Sequence, residues 1–208
     1  MKTITWPIHS LTDDHDPHIQ AWIKNLVKES DTFYDIGANT GIMSRIAKSL
    51  GAVVCVIEPN PTSLAQLLDT SIVDYYAHCG LWDKPTTLHL HFPTLEHSAQ
   101  TEVYDEADKS RRDYLIEVPG LTLDILTCHL NWPLPDIIKS DTQGSEVRWL
   151  RGAADSLWSC RAMILEIYDP MLKAHGNSEE ELLYLVDYYG FRVEDRVSND
   201  ILVVRSNL

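Results

Sequence analysis

Apolar residues follow two different spacings along the chain, and each spacing predicts a different element. Residues 18–28 have apolar side chains at helical intervals, which predicts an amphipathic helix capped by Asp16 with Pro17 at its first position. Residues 52–57 form a continuous apolar, β-branched run, as expected for a strand buried on both faces of a parallel sheet. Further strand-like runs occupy residues 32–36, 72–77, 135–141 and 162–167.

Helical patterns separate these predicted strands. They cover residues 41–50, 61–68, 146–152 and 178–189. Because strands and helices alternate, we expect an α/β fold with a doubly wound, mostly parallel central sheet. Two late strand-like runs, residues 191–193 and 201–204, are joined by a short turn. They predict an antiparallel pair at the edge of the sheet.

The middle of the chain has a different pattern. Residues 86–92 alternate apolar and polar side chains, which predicts a half-exposed strand. Residues 93–113 are polar and predict a mobile loop. After this loop, residues 114–118 are strand-like and residues 123–130 predict a short helix.

Composition and charge limit the functions that such a fold can serve. The 208 residues are 44% hydrophobic and 23% charged, so we expect a soluble protein with an N-terminal arm (1–17) and one domain (18–208). The net charge of −14 disfavours binding to nucleic-acid backbones. No apolar run reaches the roughly 18 residues of a membrane span, and the first residues contain no apolar signal-peptide core. The four cysteines lack C-x-x-C spacing, which favours free thiols in a cytoplasmic protein.

A glycine-containing turn, Asp35-Ile36-Gly37-Ala38-Asn39-Thr40-Gly41, ends the first predicted strand. The dinucleotide fingerprint is G-x-G-x-x-G, and Asn39 stands where its second glycine would contact a pyrophosphate. This difference disfavours a nicotinamide-dependent oxidoreductase. An acidic residue before the glycines suits a turn that binds S-adenosylmethionine (SAM), in which Asp35 holds the amino group of the methionine part.

Glu58 ends the second predicted strand, 17 residues after Gly41. A carboxylate at this place can accept hydrogen bonds from both hydroxyls of a ribose. The alternative interpretation is a solvated or helix-capping glutamate. With the glycine turn before it, Glu58 favours an adenosine-containing ligand.

A third strand end carries the motif Ile138-Lys139-Ser140-Asp141-Thr142-Gln143-Gly144-Ser145-Glu146. Together with residues 35–41 and the sequence E-P-N-P at residues 58–61, this motif resembles the FkbM family of SAM-dependent methyltransferases. A T-L-D sequence before the motif and an I-L-E sequence after it extend the resemblance over residues 33–167. Two positions depart from the family pattern: Thr142-Gln143 stands where members usually have V-E, and Ser140 replaces an apolar residue.

The resemblance implies a Rossmann-like class I methyltransferase fold, with SAM as cofactor and S-adenosylhomocysteine (SAH) as product. The glycine turn then lines the methionine part of SAM, and Glu58 binds the ribose. Residues 79–81 lie near the adenine, and Asp141 opens towards the transferred methyl group. The expected cofactor-binding residues are Asp35, Gly37, Ala38, Asn39, Thr40, Gly41, Glu58, Pro59, Asn60, Cys79, Gly80, Leu81 and Asp141.

The implied reaction is O-methylation of a hydroxyl on a small molecule, such as a sugar or another natural product. A hydroxyl loses its proton near the moment of attack, so the site needs a base. Asp141 is the first candidate for the base or for a group that orients the substrate. Glu146, Glu166 and His97 are alternatives, and Glu146 also fits an ordinary position on a helix surface. We expect no divalent metal, although Asp141 and Glu166 at neighbouring strand ends offer oxygen ligands for one.

Two other functions are compatible with the same residues. One is N-methylation of a small molecule, and the other is a protein that binds SAM without catalysing transfer. In each case we expect a small-molecule partner and neither nucleic acid nor a membrane. The oligomeric state stays open.

Overall fold

The computed structural model describes residues 16–92, 102–104 and 114–206 of the chain. The helices in these ranges are α1 (Pro17–Leu26), α2 (Ile42–Ser49), α3 (Pro61–Leu68), α4 (Glu146–Arg151), α5 (Asp169–Ala174) and α6 (Glu179–Tyr188). The strands are β1 (Thr32–Ile36), β2 (Val53–Ile57), β3 (Tyr75–Ala77), β4 (Gly80–Leu81), β5 (Thr86–Phe92), β6 (Glu102–Tyr104), β7 (Tyr114–Leu121), β8 (Ile137–Ser140), β9 (Ala162–Glu166), β10 (Phe191–Val197) and β11 (Asp200–Arg205). A short π-helical turn occupies Ile125–His129, and a 3-10 turn occupies Ser156–Trp158.

Seven strands form the central sheet in the order β10-β11-β9-β8-β1-β2-β3. The five strands from β9 to β3 are parallel, whereas β11 runs antiparallel to both β9 and β10. The predicted mostly parallel sheet with an antiparallel edge pair is therefore confirmed. From β1 the chain continues outward through β2 and β3, and β8 returns on the other side of β1. Ligands of open α/β sheets bind at such a reversal of strand order.

Alternate residues of the central strands pack into two hydrophobic cores. In β1, Phe33 belongs to the core that also contains residues of α1, α2 and α3, and Tyr34 to the core that contains residues of α4 and α6. Both side chains are fully buried. Burial on both faces fixes the position of the carboxyl end of β1, which leads into the glycine turn.

A second sheet of four strands, in the order β4-β7-β5-β6, is built from the middle of the chain. Leu88 and Leu90 on β5 are buried and pack with Trp82 and Val118, so the alternating pattern of β5 correctly predicted a strand with one buried face. The separate sheet itself was not predicted. It forms because β7 pairs with β5 along seven residues of each strand, a contact that no local pattern encodes.

The expected loop at residues 93–113 is interrupted by a strand. Residues 102–104 pair antiparallel with β5 as β6, so the loop prediction is wrong at this point. The physical reason is that three residues in a polar context are too few to show a period of two, while the pairing with β5 satisfies their backbone hydrogen bonds. The other residues of this range lie outside the described part of the chain.

The helix starts show one further correction. Ser178 caps α6 as predicted, since its side chain accepts a hydrogen bond from the backbone of Glu181. Asp16 does not cap α1 as predicted: its backbone φ of 47° is left-handed and its side chain makes no capping hydrogen bond. The structure also adds α5 and β4, which are too short to show a recognisable period.

All four cysteines are free, as the sequence predicted. Cys55 is a fully buried core residue in β2. Within the described ranges, none of the helices combines the length and the apolar character needed to cross a membrane.

Candidate active site

A cavity of about 300 Å³ opens at the carboxyl ends of β1, β2, β8 and β9, beside the reversal of strand order. Its volume lies at the lower end of the range for small-molecule pockets, roughly 300–1,000 Å³. Ten of the expected cofactor-binding residues line it: Gly37, Ala38, Asn39, Thr40, Glu58, Pro59, Cys79, Gly80, Leu81 and Asp141. Glu166 also lines it, as do residues that were not predicted: Asp16, Ile36, Ile42, Met43, Ile57, Lys139, Thr142, Gln143 and Ser145.

Asp35 does not line the cavity and faces the protein interior. Its Oδ2 accepts a hydrogen bond of 2.6 Å from Ser44 Oγ at the start of α2. Its Oδ1 lies 3.7 Å from Lys139 Nζ and has no hydrogen-bond partner among the described residues. The carboxylate therefore joins the end of β1 to α2 and to the cation of β8.

Gly37 is packed directly against the loop that follows β8. Its φ of 71° is left-handed, and a Cβ at this position would lie 2.0 Å from the carbonyl oxygen of Asp141. Gly41, also left-handed, does not line the cavity, and a Cβ there would meet Leu67 of α3. Only glycine allows the two loops to approach this closely.

Glu58 is buried and ties the β1 and β2 loops together. Its Oε2 accepts a hydrogen bond of 2.7 Å from the backbone N–H of Asn39, and its Oε1 accepts one of 2.6 Å from that of Asn60. Burial raises the pKa of Glu58 to about 7, although both backbone hydrogen bonds oppose the rise. Asn60 does not line the cavity, and its side chain caps α3 through the backbone N–H of Thr62. Glu58 is thus neither solvated nor the helix cap.

Glu146 is buried behind the cavity and does not line it. Its Oε1 accepts hydrogen bonds from the backbone N–H (2.9 Å) and the Oγ1 (2.7 Å) of Thr142, while Oε2 has no partner among the described residues. Burial raises its pKa to about 7. The structure therefore places this candidate base at the start of α4, with its side chain bound to the loop after β8. The helix-surface interpretation is wrong because the side chain points inward and is buried.

Asp141 and Glu166 lie together at the ends of the neighbouring strands β8 and β9. Gln143 Nε2 donates to Asp141 Oδ1 (2.9 Å) and to Glu166 Oε2 (3.1 Å). Burial and the adjacent charge of Asp141 raise the pKa of Glu166 to about 9. Burial opposes ionisation of Asp141 too, but Lys139, Glu166 and Gln143 together hold the pKa of Asp141 below its usual value.

Lys139 is the buried cation of the site. Its side chain is 8% exposed, and its Nζ lies 3.7 Å from both Asp35 and Asp141. Burial disfavours the charged ammonium, but the surrounding carboxylates raise the pKa of Lys139 above its usual value. The sequence contained a signal for this buried cation, because a lysine stood inside a predicted strand. Charged residues are almost never fully buried unless they are paired.

The position between Asp141 and Glu166 is occupied by the amide of Gln143. A hydrogen-bond donor at this place opposes a bound cation, so these two carboxyl groups do not form the metal site that was weighed from the sequence. In the described ranges, no three His, Cys, Asp or Glu side chains come together in a group that could hold a metal ion. The remaining candidate base, His97, lies outside the described residues.

The family model described as the methyltransferase FkbM domain matches residues 35–193. The chain belongs to this family of SAM-dependent methyltransferases. The resemblance carried by the three strand-end motifs is therefore confirmed, and SAM is the cofactor. A search of curated proteins finds no match to the chain.

Solved methyltransferase structures share the fold at low sequence identity. An FkbM methyltransferase from Methylobacillus flagellatus KT superposes with a TM-score of 0.53 at 15% identity, over 89% of this chain and 50% of that one. This chain thus spans half the length of that protein. A ribosomal protein L11 methylase from Lactobacillus delbrueckii subsp. bulgaricus gives 0.51 at 13% identity, over 92% and 78%. Magnesium protoporphyrin IX methyltransferase from Synechocystis PCC 6803, solved with bound SAM, gives 0.50 at 13% identity, over 91% and 77%.

The residues of the cavity fit SAM in charge and polarity. SAM carries a sulfonium, an ammonium group, a carboxylate and an aromatic adenine, with a net charge of +1. The lining offers the carboxyl groups of Asp16, Glu58, Asp141 and Glu166, and among its described members Lys139 is the one Lys or Arg. The apolar side chains of Ile57 and Leu81 complete the wall near Glu58. The excess of carboxyl groups favours a cationic ligand over an anionic one.

Proposed function

We propose that this chain transfers the methyl group of SAM to a hydroxyl of a small molecule, such as a sugar or another natural product. The observation that carries the proposal is one continuous cavity, in which the loops after β1 and β2 meet the carboxyl pair of Asp141 and Glu166. SAM supplies an activated methyl group on a sulfonium, so the protein's own task is to hold both reactants and to manage one proton.

In this proposal the loops after β1 and β2 hold the cofactor. Each carboxylate oxygen of Glu58 already accepts one backbone hydrogen bond, and its second lone pair is available to a ribose hydroxyl. Gly37 brings the backbone of its turn close to the cavity without a side chain. Residues 79–81 contribute the wall against which the adenine packs.

Asp141 orients the acceptor. Its side chain is 41% exposed, so a hydroxyl that enters the cavity can donate a hydrogen bond to it. Lys139 keeps the carboxylate ionised by lowering the pKa of Asp141. The same lowered pKa makes Asp141 a weak base, and an orienting role fits it better than full proton abstraction.

A small uncharged acceptor suits this site better than a nucleic acid or a membrane. The chain has a net charge of −14, which repels phosphate groups. An acceptor that enters the cavity also meets four carboxyl groups and, among the described lining residues, a single lysine. We place the enzyme in the cytoplasm, where free thiols such as those of this chain persist.

The proposal is tested first by SAM binding and then by transfer. Saturating SAM should raise the melting temperature by several degrees, because a ligand that binds only the folded state stabilises it. Extracts incubated with the protein and isotopically labelled SAM should then yield a product with the label on oxygen, identified by mass spectrometry. An unchanged melting temperature contradicts SAM binding. Label on nitrogen supports N-methylation instead, and binding without transfer to any component supports a protein that only binds SAM.

A further inference from the structure

Two carboxyl groups share one hydrogen-bonded unit at the β8–β9 side of the cavity. The amide of Gln143 bridges them, since its Nε2 donates to Asp141 Oδ1 (2.9 Å) and to Glu166 Oε2 (3.1 Å). The backbone of Gln143 has a left-handed φ of 53°. Asp141 and Glu166 are close enough for one amide group to bridge them, so their carboxylates repel each other when both are ionised. The pair therefore holds one proton at neutral pH.

The charges around the pair decide which carboxyl group carries that proton. Lys139 Nζ lies 3.7 Å from Asp141 Oδ2. Among the described residues, no nitrogen of Lys, Arg or His lies within ion-pair distance of the Glu166 carboxyl. The ionisable groups that act on Glu166 are Asp141 after β8, Lys139 of β8, Glu146 of α4 and Asp200 of β11, and Asp16 lines the same cavity. His18 at the start of α1 pairs with Asp200, since its Nε2 lies 2.7 Å from Asp200 Oδ2. The proton therefore resides on Glu166.

Building on the function proposed above, we propose that Glu166 releases its proton when the cationic cofactor binds, and that its carboxylate then takes the proton of the acceptor hydroxyl. Glu166 lines the cavity next to Asp141, so a sulfonium held at this side of the cavity would lie beside it. An opposite charge within about 4–6 Å lowers the pKa of a carboxyl group by about 1–3. From a value of about 9, this brings the pKa of Glu166 to roughly 6–8, the range in which a general base works best at neutral pH.

The step balances in atoms, electrons and charge. On binding, one proton leaves Glu166 for solvent. During transfer, the acceptor O–H bond breaks and its proton goes to the Glu166 carboxylate. The O–CH₃ bond forms as the S–CH₃ bond breaks, and the electron pair of the broken bond stays on sulfur. A cation and a carboxylate thus become a neutral thioether and a carboxylic acid, which restores the protonation state that Glu166 has before binding.

Calorimetry tests this proton release without knowledge of the acceptor. SAM and SAH are titrated separately into the wild-type protein at about pH 8, each in two buffers of different ionisation enthalpy. SAM carries the sulfonium and SAH does not, while both carry the ribose, adenine and amino-acid groups. We expect SAM to release roughly 0.4–0.9 of a proton more than SAH, from the pKa range given above. Equal proton release by the two ligands overturns the inference.

Two substitutions assign the proton to a residue. Glu166→Gln should abolish the difference between SAM and SAH. Glu146→Gln is the matched control, because Glu146 is also a buried acid with a raised pKa but lies outside the cavity lining. It should leave a difference in place, although a smaller one, because the charge of Glu146 adds to the raised pKa of Glu166. Loss of the difference in Glu146→Gln together with its persistence in Glu166→Gln overturns the assignment.

The wild-type protein provides a second test that needs no variant. The difference in proton release should be greatest between about pH 7 and pH 9 and should fall on both sides, because Glu166 is protonated in both states below this range and ionised in both above it. A difference that is constant from about pH 5 to pH 10 overturns the inference. If both ligands bind with equal proton release, only this inference fails. If neither binds, the proposed function fails with it.

Discussion

On the β1–β2 side of the cavity, Glu58 is held by backbone N–H groups, whereas on the β8–β9 side Asp141 and Glu166 are held by side chains. On the first side, one oxygen of Glu58 accepts a hydrogen bond from the loop after β1 and the other accepts one from the loop after β2. On the second side, Gln143 donates hydrogen bonds to both Asp141 and Glu166, and Lys139 forms an ion pair with Asp141. In the two proposals above, the first side holds the cofactor in a fixed place and the second changes its protonation.

The largest effect is expected from a substitution in the loop after β1, on the first side of the cavity. Gly37→Val should abolish SAM binding, with a loss of affinity of at least about 100-fold, because its Cβ would collide with the Asp141 carbonyl at 2.0 Å. Thermal shift and calorimetry measure this loss. Gly176→Val is the matched control, since Gly176 has the same φ of 71° but open space around its Cβ. Retained SAM binding in Gly37→Val contradicts the close packing of the two loops.

The next effect separates transfer from binding on the second side. Asp141→Asn should lower the rate of single-turnover methyl transfer by roughly 10²–10⁴-fold, the usual cost of losing a charged group that acts on the reacting atoms. Its affinity for SAM should change by less than about tenfold, because the loops after β1 and β2 remain intact. Asp187→Asn, on the exposed face of α6, serves as control. A parallel loss of binding and transfer would show that the two sides do not act separately.

A smaller effect is expected when one of the two backbone hydrogen bonds to Glu58 is removed. Glu58→Gln replaces one carboxylate oxygen by an amide N–H₂, which faces a backbone N–H and cannot accept its hydrogen bond. We expect SAM affinity to fall by about 10–50-fold, from one lost hydrogen bond and one unsatisfied donor. Glu180→Gln, an exposed residue of α6, is the control for the chemical change. Unchanged affinity would remove Glu58 from the ribose site.

The smallest effect concerns stability and pH. The pKa of Glu146 is raised to about 7 in the folded protein, against about 4.3 in an unfolded chain. The folded state therefore binds this proton more tightly, and stability from this group is full below about pH 4 and is lost as the pH rises through about 7. Without ligand, the free energy of unfolding should fall by about 2 kcal/mol more in wild type than in Glu146→Gln between about pH 5.5 and pH 8. Denaturant unfolding at both pH values measures this difference. An equal change in the free energy of unfolding for the two proteins would contradict it.

The parallel strands and the terminal antiparallel pair were predictable because each depends on a local pattern. The apolar run of β2 and the glycines around α2 act through backbone conformation and burial, which neighbouring residues in the chain determine. The second sheet was not predictable in this way, because β7 selects β5 as its partner across the intervening residues. Asp16 similarly appeared to be a helix cap, and only the fold brings it to the wall of the cavity.

The sequence by itself determined the family and the cofactor of this protein. On the β1–β2 side, residues 37–41 and Glu58 follow their strands directly, so strand order alone brings them near the same edge of the sheet. The tertiary structure decided the other side, because Lys139, Gln143 and Glu166 affect one another through distance and burial. The protonation of Glu166 and the ionisation of Asp141 depend on charges from different strands, and electrostatic coupling of that kind is a property of positions in space rather than of order along the chain.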